Sequence, residues 1–320
     1  MAAGEVRFDG RAVLVTGAGR GVGRAHALLL AARGARVVVA DNGVAMDGEA
    51  PDQTPAQSVI ADIRASGGEA VACTADLATE QGAISAVEAA LRAFGRIDAV
   101  LHNASTSPNN SSAASVSTHD LDVVMRINPF AGFWMTRAAW PHMVAQRYGR
   151  IVFMASGAVY GAEGSAPYAA AKSAYIGMMR SLACEGLRHN ILINAVWPSA
   201  LTRMTERMPS SAYLDWFKVT MTAEKVTGGV GYLLSEECDI HGEMFAVGGN
   251  RIARVMIAEC DGVICDNDSI EAARQAMTRV MDDRKVFYPK DLGERSLRVA
   301  QQFGYGGTVE ANAHDVKPVR

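Results

Sequence analysis

Short β-branched runs alternate with longer alanine- and leucine-rich stretches over the first 250 positions. "AVLVT" (12–16), "ARVVVA" (35–40), "EAVACTA" (69–75) and "DAVLHNA" (98–104) are apolar with little polar alternation. Strands of that kind are buried on both faces, as in a parallel sheet. Helical stretches near 22–34, 55–66 and 80–94 separate them, and the rhythm continues with a strand at 150–156, a helix near 167–188 and a strand at 191–197. A last strand is expected at "GEMFAVG" (242–248). Regular βα alternation predicts an α/β fold, a single doubly wound parallel sheet with helices on both faces.

Two segments interrupt this pattern: a polar insertion, "DNGVAMDGEAPDQTP" (41–55), and a serine-rich loop, "STSPNNSSAASVST" (105–118). Beyond about residue 250 the alternation stops. The expected organisation is one α/β domain over 1–250 and a partly helical extension over 251–320. The extension carries one amphipathic helix, "DSIEAARQAMTRVMDD" (268–283), with an apolar stripe at Ile270, Ala273, Met277 and Val280 or Met281 that needs a covering surface.

Composition narrows the function class. With 49% hydrophobic and 20% charged residues and a net charge of −3, the chain is an ordinary globular protein with no electrostatic reason to bind nucleic acid. Its five cysteines are scattered, without CxxC or zinc spacing, and read as reduced thiols. The polar start is not that of a signal peptide, and no apolar run approaches the ~20 residues of a membrane helix. These features predict a cytoplasmic protein with no membrane partner and no metal.

The first strand leads into "TGAGRGVG", which puts Gly17, Gly21 and Gly23 between a strand and a helix, with Arg20 and Val22 among them. Glycines let backbone turn sharply and approach a pyrophosphate, and a helix N-terminus offers free N–H groups and a positive dipole end. A dinucleotide site follows, although a glycine-rich βα turn alone is a weak signal. Asp41 ends the second strand, where a carboxylate can accept from both adenosine ribose hydroxyls and repel a 2′-phosphate. Arg20 is the competing signal, since it could grip that phosphate; Asp41 weighs more, so NAD is expected over NADP. Asp76, with Leu77, could bind the adenine or cap the next helix. Asn103, with Ala104, could bridge neighbouring loops or satisfy turn backbone.

Ser156 falls at the carboxyl end of a central strand, the edge at which such sheets bind ligands. Twelve residues later, Tyr168 and Lys172 lie one helical turn apart on a helix opened by Pro167. A phenol ordinarily ionises near pH 10, and a neighbouring ammonium favours the phenolate. The pair therefore suits acid–base chemistry at neutral pH. Upstream, Pro129 cannot donate to the carbonyl four residues back, so a helix should bend beside Asn128.

TGAGRGVG, Asn128, Ser156 and Tyr168-x-x-x-Lys172 together resemble the short-chain dehydrogenase/reductase family, across about residues 7–260. "RFDGRAVLVTGAG", "ASGAVYG" and "FAVGGNRIARV" resemble its branch of (3R)-hydroxyacyl-CoA dehydrogenases, found in peroxisomal multifunctional enzyme type 2 and bacterial relatives. The resemblance implies a Rossmann-type domain. It also implies Tyr168 as general acid/base, Ser156 as donor to the substrate oxygen, Lys172 on the nicotinamide ribose and lowering the tyrosine pKa, and Asn128 in a proton relay. Pro198, Ala200 and Thr202 after the sixth strand would complete the cofactor site.

Four departures accompany the likeness. The Ser156–Tyr168 interval is one shorter than the usual thirteen, and the family's NNAG reads His102-Asn103-Ala104-Ser105. Ser199 stands for a usual glycine, and the 42–55 insertion adjoins the adenosine side.

Tyr160, Trp197, Leu201, Met204, Met208, Tyr213, Trp216 and Phe217 are candidates to face the substrate. Segment 203–221 is either a lid or a surface helix pair. The expected partner is a bulky hydrophobic secondary alcohol or its ketone, a 3-hydroxyacyl-CoA with Arg203 or Arg207 at its phosphates or a steroid-like ring. A homodimer or homotetramer is implied by the resemblance. The rival readings are a nucleotide-binding scaffold without turnover and a lyase or epimerase using the same cofactor.

Overall fold

A computed structural model of the chain describes residues 4–44, 54–107, 112–202, 210–281 and 285–308. Two compact units divide it, the first ending at Arg254 and the second beginning at Val255.

In the first unit the sheet-forming segments are β1 (Ala12–Thr16), β2 (Arg36–Ala40), β3 (Glu69–Cys73), β4 (Ala99–His102), β5 (Gly149–Met154), β6 (Ile191–Pro198), β7 (Met244–Gly248) and β8 (Arg251–Val255). They form one eight-stranded sheet in the order β3-β2-β1-β4-β5-β6-β7-β8. Every registered pair from β3 to β7 is parallel, as the continuous apolar runs require. The helices are α1 (Gly21–Ala32), α2 (Thr54–Ala65), α3 (Glu80–Phe94), α4 (Thr118–Met125), α5 (Ala131–Gln146), α6 (Ala166–Gly186), α7 (Ala212–Thr220) and α8 (Glu224–Leu234). Alternate strand residues such as Val13, Val15, Val37, Val39 and Val152 form one buried layer with Leu30, Ile63 and Val230 of α1, α2 and α8. The chain leaves β1 on one side to reach β2 and returns to β4 on the other, so the sheet changes direction between β1 and β4. Ligands of open α/β sheets bind at the carboxyl ends of the strands at such a point.

The sheet goes one strand beyond the expected end. Gly249 and Asn250 both have positive φ, 59° and 63°, which makes a two-residue hairpin turn from β7 into β8. β8 is an edge strand, with Arg251 exposed and Arg254 paired to Glu243 at 2.6 Å. Charge on such an edge discourages pairing with other chains.

The second unit holds more structure than a single helix. β9 (Glu259–Cys260) pairs antiparallel with β10 (Val286–Phe287), and α9 (Ile270–Val280) is joined by α10 (Leu292–Gln302). Ser269 caps α9 and Asp291 caps α10, each accepting from the backbone three residues on at 3.1 and 2.9 Å. Arg295 grips Glu259 through two contacts of 3.0 Å, and the Arg298 guanidinium lies 4.5 Å from the Phe287 ring centre. The apolar stripe of the tail helix is exposed in the single chain. Ile270 is 83% and Met281 81% accessible, while Ala276 is the residue of α9 that is buried. Among the described residues, no helix is long and apolar enough to cross a membrane.

Candidate active site

At the carboxyl end of β1 the glycine-rich turn is held closed by contacts only glycine permits. A Cβ on Gly23 would lie 2.0 Å from the Gly17 carbonyl oxygen, and one on Gly17 would lie 2.9 Å from the Ala104 Cα. The turn therefore packs against both the start of α1 and the segment after β4. α1 begins at Gly21 with no side-chain cap from Arg20 and no acidic residue in its first turn. Its leading N–H groups thus lack the intrahelical anion that would compete for a phosphate, which suits a pyrophosphate. Val22 is buried beneath the turn.

Asp41 lies beside this turn, its Oδ2 accepting from the Gly19 N–H at 2.7 Å and its Oδ1 from the Gly43 N–H at 2.8 Å. Each oxygen keeps a lone pair for a ribose hydroxyl. Arg20 Nη1 donates to the Gly43 carbonyl at 3.3 Å, so this arginine is engaged on the same loop. Asp76 is exposed; its Oδ1 accepts from the Ala78 N–H at 3.0 Å, and Thr79 is the residue that caps α3. The alternative role of Asp76 as helix cap is thereby overturned. Leu77 is buried behind it. Pro198 ends β6, Ala200 is buried and Thr202 is half-buried, on the segment that leaves the same sheet edge.

Ser156 follows β5 and opens a short 3-10 turn, Gly157–Tyr160, by accepting from the Ala158 N–H at 3.1 Å. Tyr168 sits in the first turn of α6, with Pro167 preset for a helix start. The Tyr168 phenol has the side chains of Ser156 and Ser105 as neighbours. Burial raises the Tyr168 pKa, and the two serines act in the opposite direction. Lys172, one turn on, is buried, and its Nζ donates to the Met154 carbonyl at 2.7 Å. The ammonium lies 5.6 Å from the Tyr168 ring centre and 5.3 Å from that of Tyr175. Burial nevertheless pushes its pKa down to about 7. The groups that lower the phenol's pKa are thus the serine hydroxyls, with Lys172 itself poised between charged and neutral forms near pH 7.

Asn128 is fully buried in a wide π turn, Arg126–Phe130, which also contains Pro129 and separates α4 from α5. There the Ala131 N–H reaches the Arg126 carbonyl, one residue further back than in an α-helix. The Asn128 Nδ2 donates to the Val124 carbonyl at 2.8 Å and the Thr106 carbonyl at 3.4 Å, and Oδ1 accepts from Ser105 at 2.8 Å.

His102, at the end of β4, is a strut that sequence reasoning did not identify. Its Nε2 lies 2.9 Å from the Asn128 carbonyl oxygen, which can only accept, so Nε2 carries the proton. Burial holds the His102 pKa down to about 4, so the ring is neutral and Nδ1 must accept from Thr16 Oγ1 at 3.0 Å. The same hydroxyl accepts from the Asn103 and Ala104 N–H groups at 3.0 and 2.9 Å. Asn103 Nδ2 donates to the Thr16 carbonyl at 2.9 Å, so this residue does bridge the two loops. One continuous chain of hydrogen bonds thus runs from β1 to the Asn128 turn. Ser105 was noticed only as a departure from the resembled pattern; a hydroxyl directly after the strand end was the available signal.

On the neighbouring surface the Tyr160 and Trp197 rings meet edge to face, 5.2 Å apart. Leu214 and Phe217 anchor α7 in the interior while Tyr213 and Trp216 remain exposed. Segment 203–209 lies outside the described residues, and with it Arg203, Met204, Arg207 and Met208.

A family model described as short chain dehydrogenase matches residues 11–212. The chain belongs to the short-chain dehydrogenase family. A short-chain type dehydrogenase/reductase of Mycobacterium tuberculosis is 39% identical over 257 residues, covering 80% of this chain and 88% of that protein. Peroxisomal multifunctional enzyme type 2 of Mus musculus is 37% identical over 297 residues, covering 91% of this chain and 39% of the relative. The solved structure of full-length peroxisomal multifunctional enzyme type 2 from Drosophila melanogaster is similar with a TM-score of 0.77 and 28% identity, over 93% of this chain and 50% of that one. The chain thus spans 39% and 50% of the length of these two multifunctional relatives. As a member of this family it is an oxidoreductase acting on CH–OH donors, in a family that uses NAD or NADP.

Proposed function

We propose that this short-chain dehydrogenase interconverts a secondary alcohol and its ketone on a bulky hydrophobic substrate, with NAD as the coenzyme and Tyr168 as general acid/base. The observation that carries the reading is Tyr168, whose phenol is drawn toward ionisation by its neighbour Ser156 and which lies one helical turn from the buried Lys172. During oxidation Tyr168, as phenolate, takes the alcohol proton while Ser156 donates to the substrate oxygen. The nicotinamide of NAD, when bound, would supply the hydride acceptor, with the glycine turn at Gly17, Gly21 and Gly23, Asp41 and Lys172 as the residues that would hold the coenzyme. Lys172 favours the phenolate whenever it is protonated, and its pKa of about 7 places that within the working range. Asn128 fixes the wide turn beside these groups.

Asp41 supports NAD: its carboxylate faces the glycine turn from the end of β2, where a 2′-phosphate would meet negative charge. The exposed Tyr160, resting edge-on against the buried Trp197, and the exposed Tyr213–Trp216 pair of α7 support a large apolar substrate, either a 3-hydroxyacyl-CoA or a steroid-like alcohol. The likeness to multifunctional enzyme type 2 favours the thioester.

NADH formation from a (3R)-hydroxyacyl-CoA, its pantetheine-truncated analogue and a steroid alcohol tests the reading. Turnover of at least one is expected with NAD above NADP, and Tyr168→Phe should abolish it while leaving NAD affinity within a few-fold. Turnover confined to small polar hydroxy acids would overturn the substrate class. A Tyr168→Phe enzyme that still turns over would move the proton chemistry to another group.

A further inference from the structure

We infer that His102 is a positioning residue for the reaction: its imidazole, as the Nε2–H tautomer, ties the Asn128 turn to Thr16, the residue that leads into the glycine turn. The kinetic consequence rests on the proposed roles of Tyr168 and Lys172, whereas the geometry stands without them.

Both ring nitrogens are committed. Nε2 lies 2.9 Å from the Asn128 carbonyl oxygen and Nδ1 lies 3.0 Å from Thr16 Oγ1. Turning the ring over about its Cβ–Cγ bond would put carbon at both places and lose both contacts. Packing opposes that rotation as well. A Cβ on Gly132 would lie 3.0 Å from His102 Cδ2 and 3.3 Å from the rings of Phe153 and Tyr175, so the start of α5 presses on the imidazole. The tautomer follows from the hydroxyl. Thr16 Oγ1 already accepts from the Asn103 and Ala104 N–H groups, so its own proton goes to Nδ1. Nε2 then carries the ring proton and donates to the carbonyl. Asparagine, which stands here in the resembled pattern, brings its amide to the place of Nδ1 but not to that of Nε2.

His102 also shares a neighbour with Lys172. The imidazole meets the Tyr175 ring edge-on at 5.9 Å, and the Lys172 ammonium lies 5.3 Å from the centre of that same ring. α6, which carries Tyr168 and Lys172, packs against α4 and the wide turn. A charged donor at position 102 would be opposed by the ammonium, and a neutral imidazole is not. The Asn128 side chain is oriented separately, by the Val124 and Thr106 carbonyls and by Ser105. His102 holds the main chain of the same turn. Loss of the Nε2 donor frees that main chain to shift against α6, while the Asn103 and Ala104 bonds to Thr16 keep the cofactor loop in place.

Three variants separate the two contacts. His102→Gln carries an amide nitrogen to the place of Nε2, His102→Asn carries one to the place of Nδ1, and His102→Phe keeps ring volume with neither. Each amide keeps one contact and loses one, so a role in stability alone would affect both alike. The readouts are kcat and KM for the fastest of the hydroxyacyl-CoA, pantetheine and steroid substrates, NAD affinity by titration, and thermal melts. His102→Asn and His102→Phe are expected to lower kcat by about ten-fold or more. NAD affinity should stay within about three-fold in His102→Asn, and His102→Gln should return kcat to within about three-fold of the parent. A glutamine variant as slow as the asparagine one, or asparagine and phenylalanine variants as fast as the parent, would overturn the role. Nitrogen-15 spectra of the labelled parent need no variant: the Nε2–H form is expected between about pH 5 and 8, and an Nδ1–H form would overturn the geometry. Unaltered turnover in Tyr168→Phe would instead overturn the acid–base assignment and leave the tautomer as it is, so the two failures are distinct.

Discussion

A buried lysine such as Lys172, which has no anionic partner among the described residues, is costly, and the cost can be placed on a pH axis. The Lys172 pKa falls from 10.5 to about 7 on burial, whereas an unfolded chain keeps the ordinary value. Between those values the unfolded state binds more protons, so the contribution of Lys172 is least unfavourable above pH 10.5 and becomes a growing deficit as pH falls toward 7. The full deficit at neutrality is on the order of 4–5 kcal/mol. Lys172→Met keeps the length and removes the ammonium, at the cost of leaving the Met154 carbonyl without its 2.7 Å donor. The variant is expected to be inactive yet more stable by about 1–3 kcal/mol at pH 7. Thermal melts should show that advantage shrinking toward alkaline pH. Two buried histidines act at the acid end. Burial lowers the pKa of His26 to about 3, with neither ring nitrogen hydrogen-bonded, and that of His102 to about 4. Both are neutral in the folded chain at pH 5, while unfolded histidines protonate below about 6.5. Stability therefore holds above pH 6.5 and falls as pH drops toward 4, by about 2 kcal/mol per histidine at pH 5. His26→Leu should lose about 2 kcal/mol less than the parent between pH 7.5 and 5, measured by urea unfolding. An equal loss would mean that the His26 ring gains water or a proton at little cost.

At the level of elements, the wide turn between α4 and α5 shows how far a sequence pattern can be followed. Pro129 signalled a bend beside Asn128 because it has no N–H for the Met125 carbonyl. The kind of bend, a π turn that leaves the Asn128 carbonyl for His102, depends on a residue 26 positions away. Pro129→Ala restores that N–H and lets a regular helix run on, rotating Asn128 away from Ser105. We expect kcat to fall by about ten-fold or more, with stability unchanged or raised by up to ~3 kcal/mol. An unaltered kcat would mean that the His102 and Val124 contacts hold the turn without the proline. The buried strands were legible for a simple reason: a strand covered on both faces is apolar along most of its length, as β1, β2, β5 and β6 are apart from Thr16, Arg36, Arg150 and Asn194. β8 was missed since an edge strand carries arginines that break that run, although Gly249-Asn250 is a hairpin signal by itself. β9 and β10, two residues each, are too short for any period to register, while the Asp291–Glu294 spacing before α10 is a readable helix start. Tyr168 and Lys172 could be paired from their spacing on one helix. The Ser105–Asn128 and Thr16–His102 contacts could not, because they join segments 23 and 86 residues apart.

For the whole molecule, the division after Arg254 separates two kinds of structure. All the groups assigned to the cofactor and to acid–base chemistry, from Gly17 to Thr202, precede that point, as do seven strands of the eight-stranded sheet and most of β8. The buried layer of Val13, Val37, Val152 and Val230 is likewise drawn from the first unit. A chain ending at Arg254 therefore retains the hairpin at Gly249-Asn250 and the Arg254–Glu243 pair that fastens the edge strand. The second unit has its own short sheet, capped helices and ion pairs, together with an exposed stripe at Ile270, Met277 and Met281. We predict that truncation after Arg254 gives a soluble, cooperatively folding protein whose NAD affinity stays within about three-fold of the parent, a difference below ~1 kcal/mol. Substrate KM and the mass in solution are the quantities expected to change, because an uncovered stripe of that size on a helix calls for a partner. Isothermal titration with NAD, light scattering and steady-state kinetics on the two lengths decide the matter. A truncated chain that aggregates or no longer binds NAD would make the second unit part of the dehydrogenase fold. Identical KM and identical mass would leave the tail without a role in either substrate binding or assembly.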